Sequence, residues 1–328
     1  MSGIADKPLD VLVLTGPTAC GKSEASLILA ERLGAEIISM DSMKVYRRMD
    51  IGTAKPGPEA RRRVPHHLVD LREPWETYTV HDYVRDAEQA ARSAASRGRR
   101  ALLEGGTPLY LKAFVAGLFE GPAPDPALRE RLRGEARRDG LAALHGRLAA
   151  ADPAAARRIH PNDERRIVRA LEIHEQTGAP ISSLQSQFGT RRAAVSARIV
   201  VMSRPGETIR ERIRERIERM LAAGWLDEAR ALADLPRPLS PPASRALGYR
   251  ELWAHLRGEI DLDEARKRIA RETWRFVRKQ LTWLRSFTEA VWFDASGDAE
   301  RDAGRLVAVF GADHQAVAGW AGPGGGGA

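Results

Sequence analysis

Short apolar runs alternate with longer segments of helical spacing along the first part of the chain, and this alternation predicts an α/β fold. Val11-Leu12-Val13-Leu14 suits a buried strand, and Ala25, Leu27, Ile28, Ala30 and Leu33 then repeat at helical spacing. Ala35-Glu36-Ile37-Ile38-Ser39-Met40 predicts a second strand, residues 80–96 a helix, and Ala101-Leu102-Leu103-Glu104 a further strand. Residues 50–79 show no period and read as irregular. At 121 the pattern changes: Pro122, Pro124 and Pro126 mark a boundary. Helical segments follow at 126–139, 141–150, 154–158 and 163–177. Strand spacing returns only at 195–202. Residues 121–195 therefore read as an all-helical insertion in a parallel-sheet core formed by 1–120 and 196–312. The later part of that core reads as helical, at 208–223, 226–233, 244–256 and a long 261–287, before a closing strand at Val291-Trp292-Phe293. Residues 313–328, which end in a glycine run, read as a flexible tail.

Composition narrows the class. A hydrophobic share of 43% and a charged share of 29% are those of a globular protein. No apolar stretch approaches the roughly 18 residues of a membrane span. Residues 1–10 carry neither the basic nor the apolar region of a signal peptide, so a cytoplasmic protein is expected. The single cysteine, Cys20, excludes an internal disulfide and a cysteine-based metal cage. The net charge is +8. It divides as +1 over residues 1–120, +5 over 121–200, +5 over 201–290 and −3 over the rest. A polyanion lying across 121–290 and solvated helix faces fit this excess equally well.

The chemistry concentrates first in Gly16-Pro17-Thr18-Ala19-Cys20-Gly21-Lys22-Ser23, which fits G-x-x-x-x-G-K-[ST] between a predicted strand and a predicted helix. Glycines let the backbone wrap an anion, and N–H groups at a helix N-terminus point at it. Lys22 then neutralises phosphate oxygens and the Ser23 hydroxyl ligates Mg²⁺. Asp41 follows the second strand, where the ligand crevice of an open parallel sheet lies. A loop-capping aspartate explains it as well. Gly105-Gly106-Thr107 closes the third strand and allows close backbone approach to a ligand. Glu104 before it reads either as a carboxylate holding water on Mg²⁺ or as a strand-end charge in solvent. His66 and His67 point different ways from one backbone, so a hydrogen bond from one of them is expected rather than a shared metal. Arg165 and Arg169 share a helix face. On the long helix, Arg271, Trp274, Arg275, Arg278, Lys279, Trp283 and Arg285 form a surface suited to phosphates and bases, although both tryptophans also fit a core.

Nine blocks then follow in order: Gly16–Ser23; Ile38-Ser39-Met40-Asp41-Ser42 with Tyr46; Met49-Asp50-Ile51-Gly52-Thr53-Ala54-Lys55-Pro56; Pro65-His66-His67-Leu68; Gly105-Gly106-Thr107-x-Leu109-Tyr110; His160-Pro161-Asn162-Asp163; Arg169-Ala170-Leu171-Glu172; Gly248-Tyr249-Arg250; and Thr282-Trp283-Leu284-Arg285. Together, over roughly residues 10–295, they resemble the tRNA isopentenyltransferase family, the bacterial tRNA dimethylallyltransferases. The resemblance implies transfer of a dimethylallyl group from dimethylallyl diphosphate to N6 of the adenine just 3′ of the anticodon in tRNA, with Mg²⁺ as cofactor. It implies that Gly16, Pro17, Thr18, Ala19, Cys20, Gly21, Lys22 and Ser23 hold the diphosphate and that Ser23 ligates the metal. Asp41 is implied as the general base, with Thr107 and Arg250 as further catalytic groups. Contact with the tRNA anticodon stem-loop is implied for Asp41, Ser42, Met43, Lys44, Thr107, Arg129, Arg165, Arg166, Ile167, Val168, Arg169, Arg245, Arg278, Lys279 and Arg285. The family commonly has glutamine at the position of Arg165, an apolar residue at that of Glu104, and glycine or methionine at that of Pro108. An adenylate isopentenyltransferase, a small-molecule P-loop kinase and a non-catalytic RNA-binding module are the alternatives. A monomer without membrane association is expected.

Overall fold

The computed structural model describes residues 8–117, 121–184 and 192–311. The chain divides into two compact units, one of Met1–Ala113 with Ala193–Ala328 and one of Phe114–Arg192. The second spans slightly more than the 121–195 expected, because the chain leaves the first unit within a helix and not at the prolines. The tail expected from 313 lies outside the described residues.

The first unit is built on a six-stranded, wholly parallel sheet. Its strands are β1 (Leu9–Thr15), β2 (Ala35–Ser39), β3 (His66–His67), β4 (Arg100–Gly105), β5 (Val195–Ser203) and β6 (Val291–Asp294), in the order β3-β2-β4-β1-β5-β6. The central strands are near-continuous apolar runs because helices cover them: Val11–Leu14, Ile37, Ile38, Leu102, Leu103 and Val200–Met202 are all buried. Helix α1 (Lys22–Leu33) packs on the sheet and, through Leu29 and Ala30, joins a cluster with Leu306 and Phe310 of the C-terminal helix Ala299–Gly311. The predicted irregular stretch 50–79 holds a one-and-a-half-turn helix, α2 (Pro58–Arg63), and the two-residue β3, both too short to leave a periodic signal. α3 (Val80–Ser96) begins at a reciprocal Thr79/Asp82 capping box, and α4 (Pro108–Ala116) follows β4.

The second unit is helical, as expected: α5 (Pro126–Asp139), α6 (Leu141–Ala151), α7 (Pro153–Arg158), α8 (Glu164–Thr177) and α9 (Ile181–Leu184). Asp125, Asp152 and Asp163 each accept a backbone N–H of the first turn of the helix that follows, which sets three of the five starts. Leu132, Leu144, Leu148, Ile167, Leu171 and Ile173 form its core.

After β5, the first unit continues with α10 (Gly206–Ala222), α11 (Trp225–Ala233), α12 (Tyr249–Leu256), α13 (Leu262–Leu284) and α14 (Ala299–Gly311). The helix expected at 244–256 starts later, behind a 3₁₀ turn at Ala243–Arg245 and Gly248. Among the described residues no helix is long and apolar enough to cross a membrane.

Candidate active site

Parallel register brings three strand ends together. Thr15 pairs with Gly105 and Ser39 with Glu104, so Gly16, Met40-Asp41 and Gly106-Thr107 leave the sheet side by side. The approach at β4 requires glycine, because a Cβ on Gly105 would sit 2.1 Å from the Met40 carbonyl oxygen. Above these ends the 16–23 loop wraps into the N-terminus of α1. Ala19 takes a left-handed φ of 64°, costly for a residue with a Cβ. Two arginines hold the strained turn: Arg212 Nε donates to the Ala19 carbonyl at 2.9 Å and Arg204 Nε to that of Cys20 at 2.7 Å. Gln280 fastens the other side, accepting from Thr18 N at 3.0 Å and donating to the Gly106 carbonyl at 2.6 Å.

The loop forms one end of a cavity of about 440 Å³ whose lining includes Lys22, Ser23, Asp41, Thr107, Arg212, Arg216 and Arg245. Part of its wall is apolar, with Ile213, Ile217, Met220, Trp225, Leu247 and Ile269. Gly52 also lines it and lies so close to Trp225 that a Cβ there would meet the indole nitrogen at 2.2 Å. That segment is held by Glu228, whose carboxylate accepts the N–H groups of Asp50, Ile51 and Gly52 and the Tyr249 hydroxyl. An anion cradle and an apolar recess in one cavity suit an ionic head carrying a hydrocarbon tail.

Charge inside the cavity is mixed. Asp41 Oδ1 accepts the N–H groups of Met43 at 2.8 Å and Lys44 at 3.3 Å, so the capping role and a place in the cavity coexist. Glu104 is buried, not solvated: Oε1 accepts from Ser23 Oγ and Oε2 from Lys44 Nζ, both at 3.2 Å. Burial alone would raise its carboxyl, but Lys44 and Lys22 outweigh that and hold it below the usual glutamate range. Burial lowers the Arg216 guanidinium from its ordinary value, against the attraction of Asp41 and Glu104. Lys22 Nζ donates to the Pro17 carbonyl at 2.7 Å, and Thr107 Oγ1 accepts from Ser42 N at 3.3 Å.

Several expected residues stand elsewhere. Arg250 does not line the cavity; it is exposed on α12 and pairs with Glu251 at 2.9 Å. Arg212 and Arg216, one turn apart beside the buried Ile213 and Ile217 of α10, supply the cations instead. Lys44 is buried against Glu104 and offers no ammonium at the surface. In the helical unit Ile167 and Val168 are core residues, so their side chains are closed to RNA. Arg129 and Arg169 both grip the fully buried Glu172, at 2.9 and 2.6 Å. Arg165 and Arg166 of that unit are exposed, as are Arg278, Lys279 and Arg285 of the first. Trp283 is also exposed, at 37%, over a depression lined by Arg275, Arg278 and Lys279. Trp274 is half-buried under Arg210, whose guanidinium stands 4.4 Å from its ring. Both lie beside the buried stripe of α13, which runs through Ala265, Ile269, Thr273, Val277, Gln280 and Leu284. Both histidines are bonded, His66 to the Val64 carbonyl and His67 to Glu36. Gln280 had a legible signal, an amide at an apolar stripe position; Arg212 and Arg216 had only their four-residue spacing.

The family model described as "IPP transferase" matches residues 44–287. The tRNA dimethylallyltransferase of Stenotrophomonas maltophilia (strain K279a) is 44% identical over 311 residues, covering 93% of this chain and 98% of that protein. That of Geobacter metallireducens is 43% identical over 88% of this chain and 93% of its own length. Among solved structures, the tRNA isopentenylpyrophosphate transferase of Bacillus halodurans superposes with a TM-score of 0.67 at 35% identity, covering 95% of this chain and 96% of that one. A eukaryotic dimethylallyltransferase acting on tRNA reaches a TM-score of 0.74 over 91% of this chain and 77% of its own, and its 24% identity attests the fold alone.

Proposed function

The chain belongs to the IPP transferase family, and on that premise we propose that it transfers the dimethylallyl group of dimethylallyl diphosphate to N6 of the adenine just 3′ of the anticodon of tRNA. One observation carries this reading: a phosphate-binding loop, a carboxylate and an apolar recess line one cavity. The loop's inward N–H groups, Lys22 and Arg216 take the diphosphate, and the recess beside Trp225 takes the five-carbon tail. Asp41 faces the same space and serves as general base. The N6 lone pair forms a bond to the allylic carbon while that carbon's bond to oxygen breaks, the pair leaving on pyrophosphate. The N6 proton passes to Asp41. Lys22, Arg212 and Arg216 stabilise the charge gathering on the leaving group, and Thr107 adds a hydroxyl donor. Ser23 offers a hard oxygen of the kind Mg²⁺ selects, and the metal's contribution when bound is neutralisation of the diphosphate.

The adenine must leave its stack to reach this cavity, at a few kcal/mol, least in a loop. Exposed arginines and lysines meet the tRNA backbone: Arg165 and Arg166 in the helical unit, and Arg278, Lys279 and Arg285 in the other. The test offers radiolabelled dimethylallyl diphosphate or γ-labelled ATP as donor, and tRNA or AMP as acceptor. Prenyl label in tRNA alone is expected. Prenylated AMP would make the chain an adenylate enzyme, and phosphoryl transfer from ATP would make it a kinase.

A further inference from the structure

We propose that Glu104 is the second protein group, beside Ser23, that holds the divalent cation accompanying the diphosphate; this rests on reading the 16–23 loop as a diphosphate cradle. The sheet register brings the carboxylate there, since β4 lies beside β1 with Glu104 opposite Leu14, one residue before the loop's strand ends. Glu104 is 4% exposed, and an ionised carboxylate at that depth requires compensation. Lys44 accounts for Oε2 only. Oε1 accepts a hydrogen bond from the Ser23 hydroxyl at 3.2 Å. A hydroxyl has one hydrogen and two lone pairs, so this bond leaves the lone pairs of Ser23 as its remaining function, that of a metal ligand. Carboxylates that orient ligating groups in this way belong to the metal site, and their loss typically weakens metal binding.

Charge balance points the same way. Lys22, Lys44, Arg212 and Arg216 give the cavity a strongly positive lining, and a dication entering it meets Asp41, Glu104 and, at the exposed rim, Glu24 as the opposite charges. Of these three carboxylates, Glu104 is the one bonded to Ser23. The described residues contain no cluster of three or more histidine, cysteine, aspartate or glutamate side chains placed to hold a metal ion. The cation therefore arrives with the diphosphate and needs one or two protein oxygens, the usual arrangement for Mg²⁺.

The measurement is an electron paramagnetic resonance titration of Mn²⁺ against the full chain with inorganic pyrophosphate. Glu104→Gln should weaken Mn²⁺ binding by about tenfold or more, and leave pyrophosphate binding in chelator unchanged or tighter. Lys44→Gln, which keeps the carboxylate and removes its competing cation, should retain or tighten Mn²⁺. Because Glu104→Gln strands a buried Lys44, the double variant Glu104→Gln/Lys44→Gln is titrated alongside and should show the same loss of Mn²⁺. If either Glu104 variant binds pyrophosphate and holds Mn²⁺ as the wild type does, Glu104 is only the counter-charge of Lys44 and the inference falls. If the wild type binds no pyrophosphate, the cradle reading falls and takes this one with it.

Discussion

At the scale of the residue, the exocyclic amine of adenine is a poor nucleophile because its lone pair is delocalised into the ring. Removing its proton as the new bond forms is therefore worth about 10²- to 10⁴-fold. Asp41→Asn keeps the shape and an acceptor for the Met43 N–H but takes no proton. We expect kcat to fall by about 10²-fold or more with both substrates still bound, since the loss belongs to the transition state. Steady-state kinetics with separately measured affinities checks this, and near-normal kcat with a raised KM for tRNA would reduce Asp41 to a positioning group. Arginine placement gives a second outcome. Arg216→Gln should weaken pyrophosphate binding by about tenfold or more, a lost charge-assisted contact, while Arg250→Gln leaves it near wild type. Equal losses in calorimetric titrations would mean that α12 turns Arg250 inward when the site is filled.

At the scale of the element, helix α8 shows how a polar residue on a buried face is compensated. Glu172 is fully buried, and its oxygens accept from Asp125 N, Arg129 and Arg169. Burial alone would raise its carboxyl, but the hydrogen bonds from the two arginines prevail and hold it below the ordinary glutamate value of 4.5. A carboxyl whose pKa is depressed by folding stabilises fully above its unfolded value and stops doing so as the pH falls through the folded one. Glu172 should therefore contribute fully and without pH dependence near neutrality, and the helical unit should loosen as the pH falls below about 4.5, as followed by amide exchange over 126–177. Glu172→Gln should cost about 2 kcal/mol, less than a fully buried pair because both arginines reach water and can turn to it. An unchanged exchange pattern in that variant would show the cluster to be neutral. The α8 pattern Arg165-Arg166-Ile167-Val168-Arg169 reads as one basic motif in sequence, yet only its first two residues face solvent freely. A helix turns successive residues progressively round its axis, so a run of five cannot all lie on one exposed face.

At the scale of the whole molecule, the net charge of +8 and its weight downstream of residue 120 imply that tRNA affinity falls steeply with salt. Each phosphate contact adds roughly −0.7 to −0.9 to the log–log slope, so Arg165→Gln with Arg166→Gln should make it shallower by about one to two units. An unchanged slope across a potassium chloride series would place those arginines outside the RNA footprint. Lys22→Ala should abolish prenyl transfer and leave tRNA binding within about threefold, because the loss falls on the diphosphate alone. The chain by itself determined what is local. The strand–loop–helix around Gly16–Ser23 is contiguous, the helices of the inserted unit announce themselves through their spacing, and prolines flag the change of pattern near 121. What only the tertiary structure decided is which side chains meet across long separations. Ser23 and Glu104 are 81 residues apart and Thr18 and Gln280 are 262 apart, and strand order and register bring each pair together. The rotation of α10 and α12 about their own axes sends Arg212 and Arg216 into the cavity and Arg250 out to water. Spacing within one helix shows which residues share a face, but the partner against which that face packs is set by burial of apolar area summed over the whole fold.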